Sequence, residues 1–272
     1  MNTFLFMFMV AGVSLVILFT LTWVIQLRTR NAAIVDTVWA ASFPLVVMIY
    51  FFLADGYAVR QWLVLATVTG WGFRLASYLY VRTMGEPEDA RYTTLRKQWG
   101  SKQDILMLRF YYFQALLVVM LSLPFALIMV NTTQALNYFE FAGASIWLIA
   151  VMGESAADAQ LKKFKGDPAN KGRIYNNGLW HYSRHPNYFF EWLVWVAYFV
   201  MALGSPWGLA SVLCPLAMYY FLTKVTGIAY TEAQMLKSKG SAFEEYQKTT
   251  PAFFPWPKKI SNQPSPETSA KN

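Results

Sequence analysis

Charge, histidine and cysteine are all scarce in this chain. Of its 272 residues only 14% are Asp, Glu, Lys or Arg, and there are two histidines and one cysteine. Soluble domains carry charge on roughly 25% of their residues, so a large solvated surface is excluded. The lone Cys214 cannot close an intramolecular disulfide, and its place inside an apolar run makes packing its expected role. Neither a C-x-x-C pair nor an H-E-x-x-H helix occurs, so no metal is expected.

What the chain has instead is apolar length. Hydrophobic residues make up 56% and aromatics 18%, in blocks of about twenty separated by short polar connections. That pattern excludes an ordinary soluble enzyme and predicts an all-α, polytopic integral membrane bundle. Seven spans are expected, at roughly 3–26, 33–54, 61–81, 110–130, 138–160, 187–203 and 207–225. The first lacks a basic n-region and a small-residue cleavage site, so it is expected to be a retained helix. Gly204-Ser205-Pro206 reads as a tight turn between the last two spans. Residues 1–257 form one expected transmembrane domain, its cofactor half about 140–257, followed by a Pro/Ser/Lys-rich tail over 258–272 expected to be disordered.

The net charge of +8 raises nucleic acid as a partner, but the basic residues lie in loops, where membrane topology and anionic headgroups explain them. Alternate loops hold them: Arg28 and Arg30; Arg82, Arg91, Arg96, Lys97 and Lys102; Lys162, Lys163, Lys165, Lys171, Arg173 and Arg184; then the C-terminal region. The opposite loops hold only Arg60. By the positive-inside rule the N-terminus is outside and the C-terminus cytosolic.

Ionisable residues within the spans are costly and mark function. Asp36, Arg74, Glu154, Asp158, Glu191 and Lys224 all fall toward the cytosolic ends of their helices in this topology, which implies a polar cavity open to the cytosol. The densest cluster is 178–192, which holds both histidines with Arg184, Asn187 and Glu191 at the mouth of the sixth span. Pro186 suits a first helical position, so Arg184 and His185 lie on the incoming loop and the first helix amides are left for an anion such as phosphate, with Arg173 and Lys171 nearby. Asn187 and Glu191 share a helix face and, with Tyr188 and Trp195, suit a flat heteroaromatic ring. Farther on, Tyr230, Glu232, Tyr246 and Pro251-Ala252-Phe253-Phe254-Pro255-Trp256-Pro257 belong to an amphipathic segment, helical over about 228–248, that would close the cavity. The loop Glu88-Asp89-Ala90-Arg91-Tyr92 is either plainly solvated or a lid.

These residues carry a resemblance. The 178–192 stretch, the Lys-rich segment before it and the Glu-Glu-Tyr…Phe-Phe-Pro ending resemble the C-terminal half of the steroid 5-alpha-reductase family, within it the bacterial branch once called a domain of unknown function. Asp36-x-x-Trp39, Trp71-Gly72-x-Arg74-Leu75 and Glu88-Asp89-x-Arg91-Tyr92 resemble that branch's N-terminal half. The resemblance implies a seven-helix enzyme that takes NADPH from the cytosol and reduces an activated C=C bond, an enone of a steroid, sterol or related lipid. It implies cofactor contacts for Arg74, Glu154, Asp158, Arg173, Asn187, Glu191 and Trp195, with His185 and Tyr188 in the same motif. Beside them, Arg184 at the anion site and Glu232 and Tyr246 on the closing segment are expected cofactor contacts. Asp36 stands where the family places a carboxylate near the substrate carbonyl, and Tyr78 or Tyr80 is a second donor. One departure concerns the substrate end: animal steroid reductases pair Gln-Glu on the second span with Tyr on the third, where this chain has Val35-Asp36 and Trp71.

The chief rival is an isoprenylcysteine-type membrane methyltransferase, which shares Arg-His-Pro-x-Tyr but binds S-adenosylmethionine. A non-enzymatic lipid-binding protein would leave the buried charges unexplained. The expected setting is a bacterial inner membrane, the expected partners a lipophilic small molecule and membrane lipids, and the expected state a monomer.

Overall fold

The computed structural model describes residues 3–258, and among these every regular element is helical. The expected tail beyond 258 lies outside the described residues. Four stretches are long and apolar enough to cross a membrane: Thr3–Thr29, Ile34–Leu53, Ala90–Met129 and Gly208–Lys239. This is an integral membrane protein by composition. The described residues divide into two compact units, one of 3–147 and 196–214, the other of 148–195 and 215–258.

The first unit is built on α1 (Thr3–Thr29), α2 (Ile34–Leu53), α3 (Ala58–Thr83), α4 (Ala90–Trp99), α5 (Gln103–Leu121) and α6 (Leu123–Met129). It also takes the start of α7 (Tyr138–Gly166) and the end of α8 (Pro186–Ala202). Helix α1 is apolar on all sides. Its buried seam is Met7, Ala11, Leu15, Phe19, Thr22 and Gln26, at the three- and four-residue spacing of one helix face. Leu5, Met9, Val13, Ile17 and Leu21 cover the opposite side, a surface suited to lipid. Helices α2 and α3 form a tight antiparallel pair. Only glycine fits at position 72: a Cβ there would stand 2.6 Å from Pro44 Cδ. Trp71 then reaches Phe43, with ring centroids 5.2 Å apart, and Phe43, Phe125 and Tyr198 continue the aromatic core.

Arg60 has a different place from the loop expected of it. Its side chain is fully buried against that of Glu140, which its Nε bonds, while its remaining nitrogens donate to the carbonyls of Asn131, Thr133 and Ala135. Glu140 also accepts from the Asn137 amide at 2.6 Å. A buried charge is tolerated only when paired and hydrogen-bonded, and this one is both.

The second unit comprises the rest of α7, the loop leading to α8, the first half of α8, the later part of α9 (Leu213–Tyr220), a π-helical segment Phe221–Val225, α10 (Ile228–Lys239) and α11 (Ser241–Thr249). The single helix expected over 228–248 is two helices. Gly240, at φ +53°, occupies a conformation that penalises every side chain, and it turns α10 into α11. A terminal strap, 250–257, follows.

Candidate functional site

The strap explains how the His-Pro-Asn entrance is held. Before it, a short 3-10 turn Gly178–His181 is pinned to α7: Trp180 Nε1 donates to Ala157 O at 3.0 Å, and the Leu179 amide donates to Gln160 Oε1 at 3.0 Å. The strap then runs beside 182–184. The Arg184 amide donates to Pro251 O at 2.9 Å, the Trp256 amide to Tyr182 O at 2.9 Å, and Ser183 Oγ reaches Phe253 O at 2.9 Å. Phe253 and Phe254 pack edge-on against Phe189 and Trp192. Tyr246 on α11 donates its hydroxyl to Trp180 O, and burial pushes that phenol's pKa well up, the Arg184 charge opposing. Its hydroxyl is committed to the scaffold.

Glu232 on α10 is the hub of the entrance. Its Oε1 accepts from Arg184 Nε at 2.8 Å and faces His185 Nε2 at 3.0 Å. Its Oε2 accepts from Arg184 at 3.1 Å and Gln247 Nε2 at 2.7 Å. Arg184 spends its other donors on the carbonyls of Gln247 and Thr250. Arg184 and Glu232, both expected to touch a cofactor, therefore bind one another, and their geometry is that of residues positioning the loop. His185, buried, stacks on Tyr188 with centroids 5.5 Å apart and planes 10° from parallel. The Tyr188 hydroxyl stands 3.5 Å from Thr231 Oγ1.

Past Pro186, which begins α8, two polar side chains enter the apolar interior. Asn187 Oδ1 is buried and has no hydrogen-bond partner. One turn on, buried Glu191 accepts from Trp195 Nε1 at 3.2 Å. Glu154 and Asp158, also buried, sit one turn apart on α7, on either side of the residue that anchors Trp180. Arg173 lies on an exposed loop, where it lines a cavity of about 400 Å³ with Asn176, Glu245 and Tyr246. The second unit thus holds every expected cofactor residue except Arg74, and at the start of α8 it brings Arg184, His185, Tyr188 and Glu232 together. Sequence reasoning missed the anchoring residues Gln160, Trp180, Ser183, Gln247 and Thr250. The Pro-rich ending, too stiff for a helix, was the available signal for the strap.

Asp36, Arg74 and Tyr78 belong to the first unit. Gly72 of α3 faces Ala40 and Pro44 of α2. Asp36 and Tyr78 each lie six residues from the centre of that antiparallel contact, so they share one level. The Asp36 carboxylate accepts from the Tyr92 hydroxyl at 2.7 Å and from Arg91 at 2.8 Å. It stands as a paired acceptor, whereas the sequence had offered it as an acid. The loop carrying Arg91 is ordered by Asp89, which caps α4 through the Arg91 amide and also bonds the Arg91 guanidinium. Burial would raise the Asp89 pKa, but the Arg91 hydrogen bonds and charge outweigh it and hold the carboxyl below its ordinary value. Arg74 is half-buried on α3, and the Tyr78 ring lies beneath Arg82 at 5.9 Å.

Comparison with known proteins gives two matches. The model of a family described as "Protein of unknown function (DUF1295)" matches residues 22–250. The uncharacterized protein C594.04c of Schizosaccharomyces pombe is 25% identical, the alignment covering 88% of this chain and 77% of that protein. No solved structure matches.

Proposed function

Since the chain belongs to the DUF1295 family, with a match that takes in every candidate residue from Asp36 to Tyr246, we propose that it is a membrane-embedded, NADPH-dependent reductase of an activated C=C bond in a steroid or similar lipid. The observation that carries this reading is Asn187 Oδ1, a buried acceptor without a donor beside the opening turn of α8. Such an orphan is expensive unless a ligand supplies the donor, and the carboxamide of a nicotinamide supplies one. Residues that fit the rest of the cofactor are the amides of Asn187 and Tyr188 at the helix start, Arg173 on its exposed loop, and Glu191 with Trp195.

When bound, NADPH supplies the hydride that passes to the β-carbon of an enone. The chain's own work is to orient and to exclude water. Glu232 and the strap fix Arg184 and His185, and the Glu191–Trp195 bond fixes the polar face of α8. At the substrate end, Asp36, held by Tyr92 and Arg91, orients a polar group on the same level as Tyr78. The proposed topology has seven spans: α1, α2, α3, α5 with α6, α7, α8, and the segment 208–225. The N-terminus is outside and the site opens to the cytosol. Its support is the alternation of basic loops, strengthened by the neutralisation of Arg60, the one cation on the opposite side.

The test is thermal-shift titration of the purified protein with NADPH, NADH and S-adenosylmethionine. Stabilisation by NADPH is expected, and Asn187→Ala or Glu191→Gln should weaken binding tenfold or more, about 1.4 kcal/mol. Stabilisation by S-adenosylmethionine alone refutes the reading and installs a methyltransferase in its place.

A further inference from the structure

Trp39 is a buried donor with nothing to donate to. Its indole Nε1 is shielded from solvent and meets no acceptor. The contrast with other tryptophans is plain: Trp23, Trp147, Trp180, Trp192 and Trp195 each donate to an oxygen at 2.9–3.2 Å. An unsatisfied buried N–H is destabilising, and such groups in folded proteins call for a reason. Trp39 lies three residues after Asp36 on α2, so the two share a helix face. Its ring meets Phe43 edge-on at 4.8 Å, and Phe43 leads to Trp71. The N–H therefore sits where an aromatic wall gives way to a polar cluster.

We propose that the Trp39 indole N–H binds the carbonyl oxygen of a neutral lipid substrate. The neighbouring charges select the oxygen. Asp36 and Asp89 bring two negative charges, and Arg91, paired to both, brings one positive charge. Arg82, whose charge also acts on Asp89, brings a second positive charge, so the cluster is close to neutral. The one cation paired to Asp36 is already spent on carboxylates, which leaves no free partner for a fatty-acid carboxylate or a phosphate and admits a ketone, aldehyde or ester. An indole N–H donates without losing its proton, so it can stabilise an oxygen that gains negative charge while leaving protonation to another group. Asp36 cannot do this as it stands, because both its oxygens already accept. The identification of this carbonyl as a substrate's rests on the reductase reading, while the binding itself requires no cofactor.

Full-length protein carrying ¹⁵N-indole tryptophan, in detergent micelles without NADPH, tests it. The Trp39 indole peak is the one lost in Trp39→Phe. Should that variant not fold, Phe43→Leu identifies the peak by the loss of its ring-current shift. Titration with cyclohex-2-enone should move this peak downfield and saturate, and cyclohexene, which lacks the oxygen, should leave it in place. A peak unmoved by the enone, or moved equally by cyclohexene, overturns the proposal. A peak that moves in a protein that NADPH does not stabilise keeps the carbonyl site and discards the reductase.

Discussion

Replacing Glu232 by glutamine should loosen the entrance to α8 without changing its shape. The carboxylate faces four donor atoms, two on each oxygen, and glutamine converts one oxygen into an NH2 group that must point at two of them. Whichever way the amide turns, its NH2 group faces one Arg184 nitrogen and loses that bond to the cation, and turned toward Gln247 it loses a second. The Arg184 side chain is 9% exposed and that of Glu232 14%, so water repairs little of the loss. Breaking a buried ion pair costs about 3–5 kcal/mol, and residual solvent places this one near the lower end. With roughly 2–4 °C of melting temperature per kcal/mol for a chain of this size, Glu232→Gln should lower Tm by about 6–12 °C in a fluorimetric melt of detergent-purified protein. Glu245→Gln serves as the control. Its partner Lys248 is 3.9 Å away and both are half-exposed or more, so its shift should be negligible. If the two variants melt within about 2 °C of each other, Glu232 is not the hub assigned here.

Two further perturbations test the first unit. Glu140→Gln leaves the Arg60 charge buried and should cost about 3–5 kcal/mol, a larger loss of Tm than Glu232→Gln, while Arg60→Met with Glu140→Met should recover most of it; an unchanged melt for Glu140→Gln would refute the pairing. Asp89→Ala removes the cap of α4 and should cost about 1 kcal/mol at neutral pH. Because the folded-state pKa of Asp89 lies below its unfolded value, its contribution is complete above the ordinary carboxylate range and is lost as pH falls through the lowered pKa. The gap in Tm between wild type and Asp89→Ala should therefore close on acidification, and a gap that widens would reverse the sign assigned.

Periodicity made the helices legible because burial in lipid demands long apolar runs. The expected spans at 33–54, 61–81 and 187–203 fall on α2, α3 and α8, each within a few residues at either end. Three of the seven expected spans are not among the four stretches of the described residues that are both long and apolar enough to cross a membrane. Helix α3 carries Arg60 and Arg74, α7 carries Glu140, Glu154 and Asp158, and α8 has only 17 residues. The break at Gly240 was hidden because the apolar stripe of 228–248 continues across it. At the site, residue types near α8 were legible and their pairings were not. Arg184 and Glu232 are 48 positions apart, and Arg91 and Asp36 are 55. Whether a charge meets a ligand or another side chain is decided by tertiary contact, to which local pattern is blind.

The Arg60–Glu140 pair has a consequence for how the chain is made. The two residues are 80 positions apart, so Arg60 is synthesised first. At about 5–20 residues per second it waits roughly 4–16 s for its carboxylate. During that interval Arg60 lacks the carboxylate that neutralises it in the finished fold, and its backbone partners at 131, 133 and 135 arrive only shortly before Glu140. The start of α3 therefore cannot reach its final hydrogen bonding before that stretch of chain is made. The burial of Arg60 is gated by the start of α7, and a chain truncated before residue 140 carries an unneutralised cation as a standing mark for membrane quality control to find.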